Sequence, residues 1–438
     1  MKVLKFGGTS LGSANKIKNV ASIINTDVRK IVVLSAMSGT TNRLEIISAL
    51  LMNAKKEEAV VHIEILKKEY LQTVRELLIS DELLSKGNKL IKYHFNYLLS
   101  FTQSDFTLLE ERTVLVQGEL ISTALLNYYL EEQKIKSVII PALNFMRIDK
   151  SLEPDEYYIK ESLKRELAQY PNQNIFITQG YVCRNAYGEI DNLKRGGSDY
   201  SASLIGAQLD VDELQIWTDI DGFHNNDPRY VEKTFPIKEL SFDEAAELAY
   251  FGAKILHPSS VLPVKLKNIP VWLKNTMQPE ELGTLITEKL TEGEIKAVAA
   301  KDGITAVKIK SGRMLLAHGF LRRVFEVFER YETPIDMITT SEIAVTVTID
   351  NPKNLAEIRT ELEAYSTVEV DDEQTIICVV GNLIAEEKGI ALKVIHALED
   401  IPLRMISYGG SKHNISVLVN SKDKVRALNE LNDKLFNF

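Results

Sequence analysis

Cysteine is nearly absent from this chain: Cys183 and Cys378 are the only two among 438 residues. Both lie in apolar, strand-like runs, which predicts buried free thiols in a reducing compartment rather than a disulfide framework. Long apolar runs are missing too. Nothing reaches the roughly 18 residues of a membrane span, and no uninterrupted apolar segment follows Lys2 and Lys5 as a secretory signal would. A cytoplasmic protein, touching no membrane, is expected. Positive charge is not in excess: the formal net charge is −9, which argues against a general nucleic-acid binder. Any anionic ligand must then be held by local basic residues and backbone N–H groups. The seven histidines show no His-x-x-x-His or clustered Cys/His spacing, so no protein metal cage is expected.

What is present is a globular composition, 45% hydrophobic and 26% charged, on a chain long enough for two to four domains. The first ten residues end Lys5-Phe6-Gly7-Gly8-Thr9-Ser10, and an amphipathic pattern follows at Ile17, Val20, Ala21 and Ile24. This reads as strand, tight turn, helix. Paired glycines let backbone N–H groups close around an anion, and a helix N-terminus adds partial positive charge. Lys5 would aim its charge at the same place. The turn is not a P-loop: Gly7 and Gly12 have the glycine spacing, but Ser13 stands where that motif needs lysine. Taken alone, it is equally a βα turn beside an exposed lysine.

Short apolar runs alternate with helical patterns over the first 290 residues or so. Strands are expected at Val3–Phe6, Ile31–Ser35, Ser137–Pro141, Ile175–Gln179, Leu214–Thr218 and Pro270–Leu273. Near-continuous apolar strands separated by helices predict an α/β sandwich with a mostly parallel sheet. Residues 54–100 form a charged helical insertion with one apolar stripe, Leu66, Tyr70, Val74, Leu77 and Leu78. Residues 287–296 read as a polar linker. Beyond them a weak repeat appears, Pro334-Ile335-Asp336-Met337-Ile338-Thr339 against Pro402-Leu403-Arg404-Met405-Ile406-Ser407. The first unit reads as strand Ile304–Ile309, helix Phe320–Tyr331, strands Ile335–Thr340 and Ile343–Ile349, then a helix from about Asn354. The second reads as Thr375–Val380, helix Ile390–Leu398, strands Leu403–Ser407 and Asn414–Val419, then a helix from about Lys422. Two ferredoxin-like βαββαβ modules account for this. Neither carries a nucleophile or metal constellation, which suggests binding or regulation.

Further constellations sit where strands end. Ser38-Gly39-Thr40-Thr41-Asn42 follows the second strand, with Thr41 or Asn42 readable as a helix N-cap. Lys194-Arg195-Gly196-Gly197-Ser198-Asp199 opens a helix of small residues. There Asp199 suits the helix dipole, and arginine suits bidentate recognition of a carboxylate or phosphate. Trp217-Thr218-Asp219-Ile220-Asp221-Gly222 and Asp227-Pro228-Arg229 form a polar loop, with Arg229 a candidate phosphate ligand or a plain surface residue. Lys254, in Phe251-Gly252-Ala253-Lys254-Ile255-Leu256-His257-Pro258, either snorkels from a core helix or reaches a phosphate. Glu119, early in an apolar helix, is either a dipole partner or a ligand for an ammonium. Ligands of open α/β sheets bind along the carboxyl edge of the strands, so these turns belong together.

Together, and in this order, these motifs resemble the aspartokinases, and the C-terminal repeat resembles their tandem ACT domains. The resemblance implies an amino-acid-kinase (carbamate-kinase-like) three-layer α/β sandwich over residues 1–288, then ACT modules at 289–373 and 374–438, with strands possibly exchanged between them. It implies ATP-dependent phosphorylation of the side-chain carboxylate of L-aspartate, with Mg²⁺ held largely by phosphates and water. Lys5 and Asp199 would be catalytic. Thr41, Glu119, Arg195 and Ser198 would bind aspartate. Lys5, Gly7, Gly8, Ser10, Thr218, Asp219, His224, Arg229 and Lys254 would meet ATP. In the ACT region Met314, Phe320, Leu321, Ile335, Asp336, Ser341 and Glu342 look like a lysine-effector site, and ACT pairing implies a homodimer or larger homo-oligomer. Fusion to a homoserine dehydrogenase domain is not expected. The chain departs from the pattern at Asp191-Asn192-Leu193-Lys194, where threonines and a glycine are usual, at Met37, and at His224, where a tyrosine commonly packs on adenine. Ala317 and Pro334 lack hydroxyls found in some lysine-binding relatives. Two other readings stand beside this one: the same fold with glutamate or another small carboxylate as acceptor, and an amino-acid sensor without catalysis. Turnover of aspartate against glutamate separates the first. Retention of Lys5 and Asp199 speaks against the second.

Overall fold

The computed structural model describes residues 1–193, 197–252, 256–288, 294–310 and 319–436. The chain divides into two compact units, Met1–Gly222 with His257–Glu288, and Phe223–Leu256 with Lys289–Phe438.

In the first unit the expected strands form β1 (Lys2–Phe6), β2 (Lys30–Leu34), β3 (Val138–Ile139), β4 (Ile175–Gln179) and β7 (Glu213–Thr218). The sequence reading missed the hairpin between them, β5 (Val182–Arg184) and β6 (Ile190–Asn192). Its turn was legible: Asn185 Oδ1 accepts the N–H groups of Tyr187 and Glu189 at 2.9 and 3.0 Å, and Gly188 supplies a φ of +84°. After β8 (Glu239–Ser241), in the second unit, come β9 (Val271–Asn275) and β10 (Thr284–Thr287). Strand order within the first unit is β3-β4-β2-β1-β7-β9-β10. All these pairings are parallel except β9 with β10. Strands β2 and β4 are buried along their whole length, as continuous apolar runs require when both faces are covered.

Parallel register puts Phe6 beside Leu34 and Trp217, Leu34 beside Gln179, and Thr218 beside Asn275. Five strands therefore end along one edge. The insertion folds as two helices, Lys56–Leu77 and Asp81–Ser100, and buries the whole predicted stripe. They approach closely at Gly87, where an added Cβ would lie 2.8 Å from Val74 Cγ1. Lys30, buried at the head of β2, donates to the carbonyls of Ile24 and Thr26 at 2.8 and 2.9 Å, closing the end of the Ala14–Ile24 helix.

The second unit is built on one six-stranded sheet, ordered β12 (Ile338–Thr340), β13 (Ala344–Ile349), β11 (Ile295–Lys310), β14 (Thr367–Gly381), β16 (Asn414–Asn420), β15 (Met405–Tyr408). Helices Phe320–Arg330 and Leu355–Glu363 belong to the first module, and Ile390–Ala397 and Lys424–Leu435 to the second. Two strands are far longer than the sequence suggested. The first half of β11 pairs with the second half of β14, and the second half of β11 with the first half of β14. The register shifts between Lys301 and Ala306, where Gly303 takes a φ of +74°. Residues 295–301 thus complete the second module although they precede the first. Strand β11 already begins at Ile295, inside the expected linker, while residues 289–293 lie outside the described residues.

The segment 223–256 packs within this unit. Asn225 and Asn226 donate to Asn432 Oδ1 and Leu428 O, both at 3.0 Å, and Val298 N donates to Asn225 O at 2.8 Å. Among the described residues no helix is long and apolar enough to cross a membrane.

Candidate active site

The opening turn is held from both sides. Gly7 N donates to Trp217 O at 3.2 Å, and Phe6 O accepts from Ser35 N at 3.2 Å. The sequence predicts a helix directly behind it. Instead Gly8–Leu11 makes one 3₁₀ turn, and the helix starts at Ala14 behind an N-cap at Ser13. Gly8 is the glycine needed for close approach, while a Cβ at Gly7 would make ordinary contact. A Cβ at Gly8 would lie 3.0 Å from Ala36 O, and one at Gly7 would lie 3.5 Å from Lys5 Nζ. Ser10 is buried, with Oγ 2.7 Å from Thr276 Oγ1 and 3.4 Å from Trp217 O. Its hydroxyl ties three strand ends together. Sequence reasoning missed Thr276, which has no motif around it and reveals itself only by contact.

Lys5 Nζ lies 2.6 Å from Asp199 Oδ1, with the two side chains 12% and 18% exposed. Their contact joins the end of β1 to the first turn of the Gly197–Leu209 helix, where a carboxylate also meets the helix dipole. Ser198, 8% exposed, presses on Gly180 at the end of β4, and a Cβ at Gly180 would sit 2.4 Å from Ser198 Cβ. Next to it Tyr181 takes a φ of +67°, an outlier for a bulky residue. Its N–H donates to Ser201 Oγ at 2.8 Å, and its carbonyl accepts from Leu193 N at 2.8 Å. Tyr181 also escaped the sequence reading. Burial pushes its phenol upward, and the Glu119 charge adds to this.

The second turn carries Thr40 and Thr41. Gly39, with φ +78°, caps the Thr40–Met52 helix, so neither Thr41 nor Asn42 is its N-cap. Thr40 Oγ1 lies 2.8 Å from Tyr70 OH, and Thr41 is partly exposed. The Gln117–Glu132 helix docks on this turn through Gly118, whose Cβ would fall 2.5 Å from Ala36 Cβ. Ser122 Oγ donates to Ser35 O at 2.8 Å. Glu119 is consequently 3% exposed, and its Oε2 has no hydrogen-bond partner among the described residues. Burial raises its carboxyl to about 8, against which backbone N–H groups, including that of Ala36, act only in part. A buried carboxylate with one oxygen unsatisfied is costly unless a cation joins it.

Two departures have structural partners. Asp191, 1% exposed, accepts from Arg112 Nη1 at 2.6 Å, and its other oxygen accepts from Asn192 N at 2.8 Å. Arg195 of the first unit, and Lys254 and Met314 of the second, lie outside the described residues. Thr218 Oγ1 donates to Asp219 Oδ1 at 3.1 Å beyond β7.

The remaining candidates belong to the second unit. His224 Nδ1 lies 3.1 Å from Thr234 Oγ1. Arg229 is gripped by Asp227, with donor distances of 2.6–3.1 Å, and its side chain is 75% exposed. Phe320 is buried and Leu321 exposed at the start of their helix, behind Gly319 with φ +90°. Ile335 is half-buried, while Ser341 and Glu342 sit on the exposed turn between β12 and β13. Asp336 is enclosed by Lys301 and Tyr250.

Residues 1–275 match the model of the amino acid kinase family, and residues 377–435 that of an ACT domain. The lysine-sensitive aspartokinase 3 of Escherichia coli (strain K12) is 31% identical, the match covering 99% of each chain. Chloroplastic aspartokinase 1 of Arabidopsis thaliana is 32% identical over 99% of this chain and 80% of that one. Among solved structures, E. coli aspartokinase III with lysine and aspartate aligns with a TM-score of 0.84 at 31% identity over 100% of both chains. The same enzyme with aspartate and ADP gives 0.82 at 30% identity over 100% of both.

Proposed function

The chain belongs to the aspartokinases of the amino acid kinase family, and on that premise we propose how its own residues carry the reaction. The protein is a kinase that transfers the γ-phosphoryl group of ATP to the side-chain carboxylate of L-aspartate, giving 4-phospho-L-aspartate. A carboxylate is already a nucleophile, so the difficulty is charge: two anions must meet in line. Positioning and electrostatic stabilisation supply most of such catalysis.

The observation that carries the assignment of roles is the Lys5–Asp199 pair at 2.6 Å on the carboxyl edge of the sheet. Lys5 neutralises the phosphoryl oxygens in transfer, and the Gly7 and Gly8 backbone leaves room for them. Asp199 holds Lys5 in place. ATP would enter as its magnesium complex, with the metal held largely by phosphates and water. Asp199, part exposed beside Lys5, is the carboxylate suited to order that water shell. Ser10 acts by fixing the turn, since its hydroxyl is engaged with Thr276. Glu119 takes the aspartate ammonium, Thr41 and Arg195 its carboxylates, and Ser198 lines the same place. Thr218, Asp219, His224, Arg229 and Lys254 meet the nucleotide, which requires Arg229 to exchange Asp227 for phosphate.

Lysine is the effector we assign, its ammonium taken by Asp336 in a setting of Met314, Phe320, Leu321, Ile335, Ser341 and Glu342. The sheet of the second unit ends in β12 and β15, with Ile338, Ile406 and Tyr408 exposed, edges suited to pairing with a second copy. A cytoplasmic setting accords with two buried free thiols.

Hydroxylamine trapping of the acyl phosphate, with ATP and L-aspartate, tests the activity. Hydroxamate must form and must fall to background in Lys5→Ala. No product above that control would refute the assignment, and equal turnover of glutamate would refute the acceptor.

A further inference from the structure

Asp336 is already occupied by a cation belonging to the protein. Lys301 Nζ, from β11, lies 2.7 Å from Asp336 Oδ1 and 2.9 Å from Asp350 Oδ2. Tyr250 OH donates to the same Asp336 Oδ1 at 2.9 Å, and the Lys301 ammonium stands 4.6 Å from the Tyr250 ring centroid. The Asp336 side chain is 2% exposed, yet its Oδ2 has no hydrogen-bond partner among the described residues. Among the described residues, two carboxylates, Asp336 buried and Asp350 39% exposed, share this one ammonium and leave one negative charge over. A second monocation would balance it.

Tyr250 ends the Phe242–Tyr250 helix, which is pinned at several points. Glu247 accepts from Ser411 Oγ and Asn414 Nδ2, both at 2.6 Å, and so grips the hairpin of the second module. Beyond Tyr250, Gly252 has φ +139°, and a Cβ there would lie 2.2 Å from Ala300 O, next to Lys301. Four residues later the chain leaves this unit, at Leu256.

We propose that Lys301 is a tethered competitor for the effector ammonium at Asp336, and that Tyr250 reads which of the two cations Asp336 holds. The inference rests on the effector reading given above. An ammonium arriving at Oδ2 faces the Lys301 ammonium across one carboxylate. Like-charge repulsion drives Lys301 toward Asp350, which stands ready to keep it paired. The exchange changes the charge beside Tyr250, at the end of a helix whose continuation leads out of the unit. The effector class is therefore an amino acid with a free ammonium placed to reach Oδ2, and its affinity is set below what Asp336 alone would give.

The test is calorimetric titration of the full chain with L-lysine, and two substitutions move the result in opposite directions. Lys301→Met keeps the stem over Tyr250 and removes the competitor, so lysine binds roughly tenfold more tightly, the scale of a like-charge contact near a surface. Asp350→Asn removes the alternative partner of Lys301, so lysine binds several-fold more weakly. General damage to the module would weaken binding in both. Asp336→Asn abolishes binding. Tyr250→Phe still binds lysine but loses most of the inhibition of the kinase. Binding in the wild type that Asp336→Asn removes, with Lys301→Met no tighter than wild type, overturns the competitor and leaves the effector site standing. Full inhibition of Tyr250→Phe overturns the reading role. No lysine binding to the wild type overturns both the inference and the effector site beneath it.

Discussion

Glu119 offers a prediction whose size follows from the structure. Its carboxyl is raised from 4.5 to about 8 by burial, and its Oε2 has no hydrogen-bond partner among the described residues. In the unfolded chain the proton leaves near 4.5, whereas in the folded, unliganded protein it stays until about 8. Between those values the folded state binds the extra proton. Stability from this group is therefore full below 4.5 and is lost as pH rises through the folded value. The whole span corresponds to on the order of 5 kcal/mol at most, and relaxation reduces it.

An aspartate ammonium reverses the balance, because it pairs with the ionised form. At pH 7 about nine in ten unliganded molecules carry the proton, so binding aspartate releases close to one proton per site. Calorimetric titrations in two buffers of different ionisation enthalpy read that number directly. Aspartate affinity should also rise roughly tenfold between pH 6 and pH 7 and level off near pH 8. Glu119→Gln should release no proton, bind aspartate weakly and raise the thermal midpoint of the free protein at pH 8. A binding enthalpy independent of buffer, with aspartate affinity flat from pH 6 to pH 8, would refute both the placement of the ammonium and the buried acid.

Gly180→Ala should be severe, because its Cβ would sit 2.4 Å from Ser198 Cβ and 2.8 Å from Ser198 Cα. Overpacking of this kind costs about 1–3 kcal/mol, and moving Asp199 by about 1 Å should lower kcat roughly 100-fold. A variant with unchanged thermal midpoint and kcat would show that the approach is not tight. Tyr70→Phe removes a buried partner of Thr40 Oγ1, so the urea midpoint should fall by the equivalent of about 1–2 kcal/mol. An unchanged midpoint would remove that bond from the account of how the second turn is held.

Several features were legible because local pattern and tertiary demand coincide. Strands β2 and β4, buried along their length, are nearly continuous apolar runs, and with β1 and β7 they announce themselves within a residue or so of their ends. The insertion stripe was equally plain, since a helix with one buried face has only one place for Leu66, Tyr70 and Val74. Glycine pairs betrayed turns, and turns at parallel strand ends share an edge. Features that depend on distant partners were not legible. Nothing around Thr276 marks it as the partner of Ser10, 266 positions away. Tyr181 gives no sign in sequence of its positive φ, because that strain is imposed by Ser201 and Leu193 from outside the segment. Lys301 belongs to no motif and precedes the strand expected from Ile304, and its two carboxylate partners lie 35 and 49 positions on.

The long strands explain why the repeat was visible and its boundary was not. A reader of hydrophobic pattern sees strands starting near Ile304 and Thr375, since each opens one repeat unit. The residues before them, 295–301 and 367–371, are strand as well, but they serve the other module. Exchange of this kind costs nothing in local propensity, so the sequence carries no penalty that would reveal it. Its mechanical effect is considerable. Because β11 belongs to both modules, a change at its middle is felt by both, and Lys301 lies next to the register shift where the strand passes from one module to the other. A helix pinned to the second module through Glu247 and to Asp336 through Tyr250 spans the same junction. An effector that alters the pairing of Lys301 therefore acts at the point where the two modules are least independent.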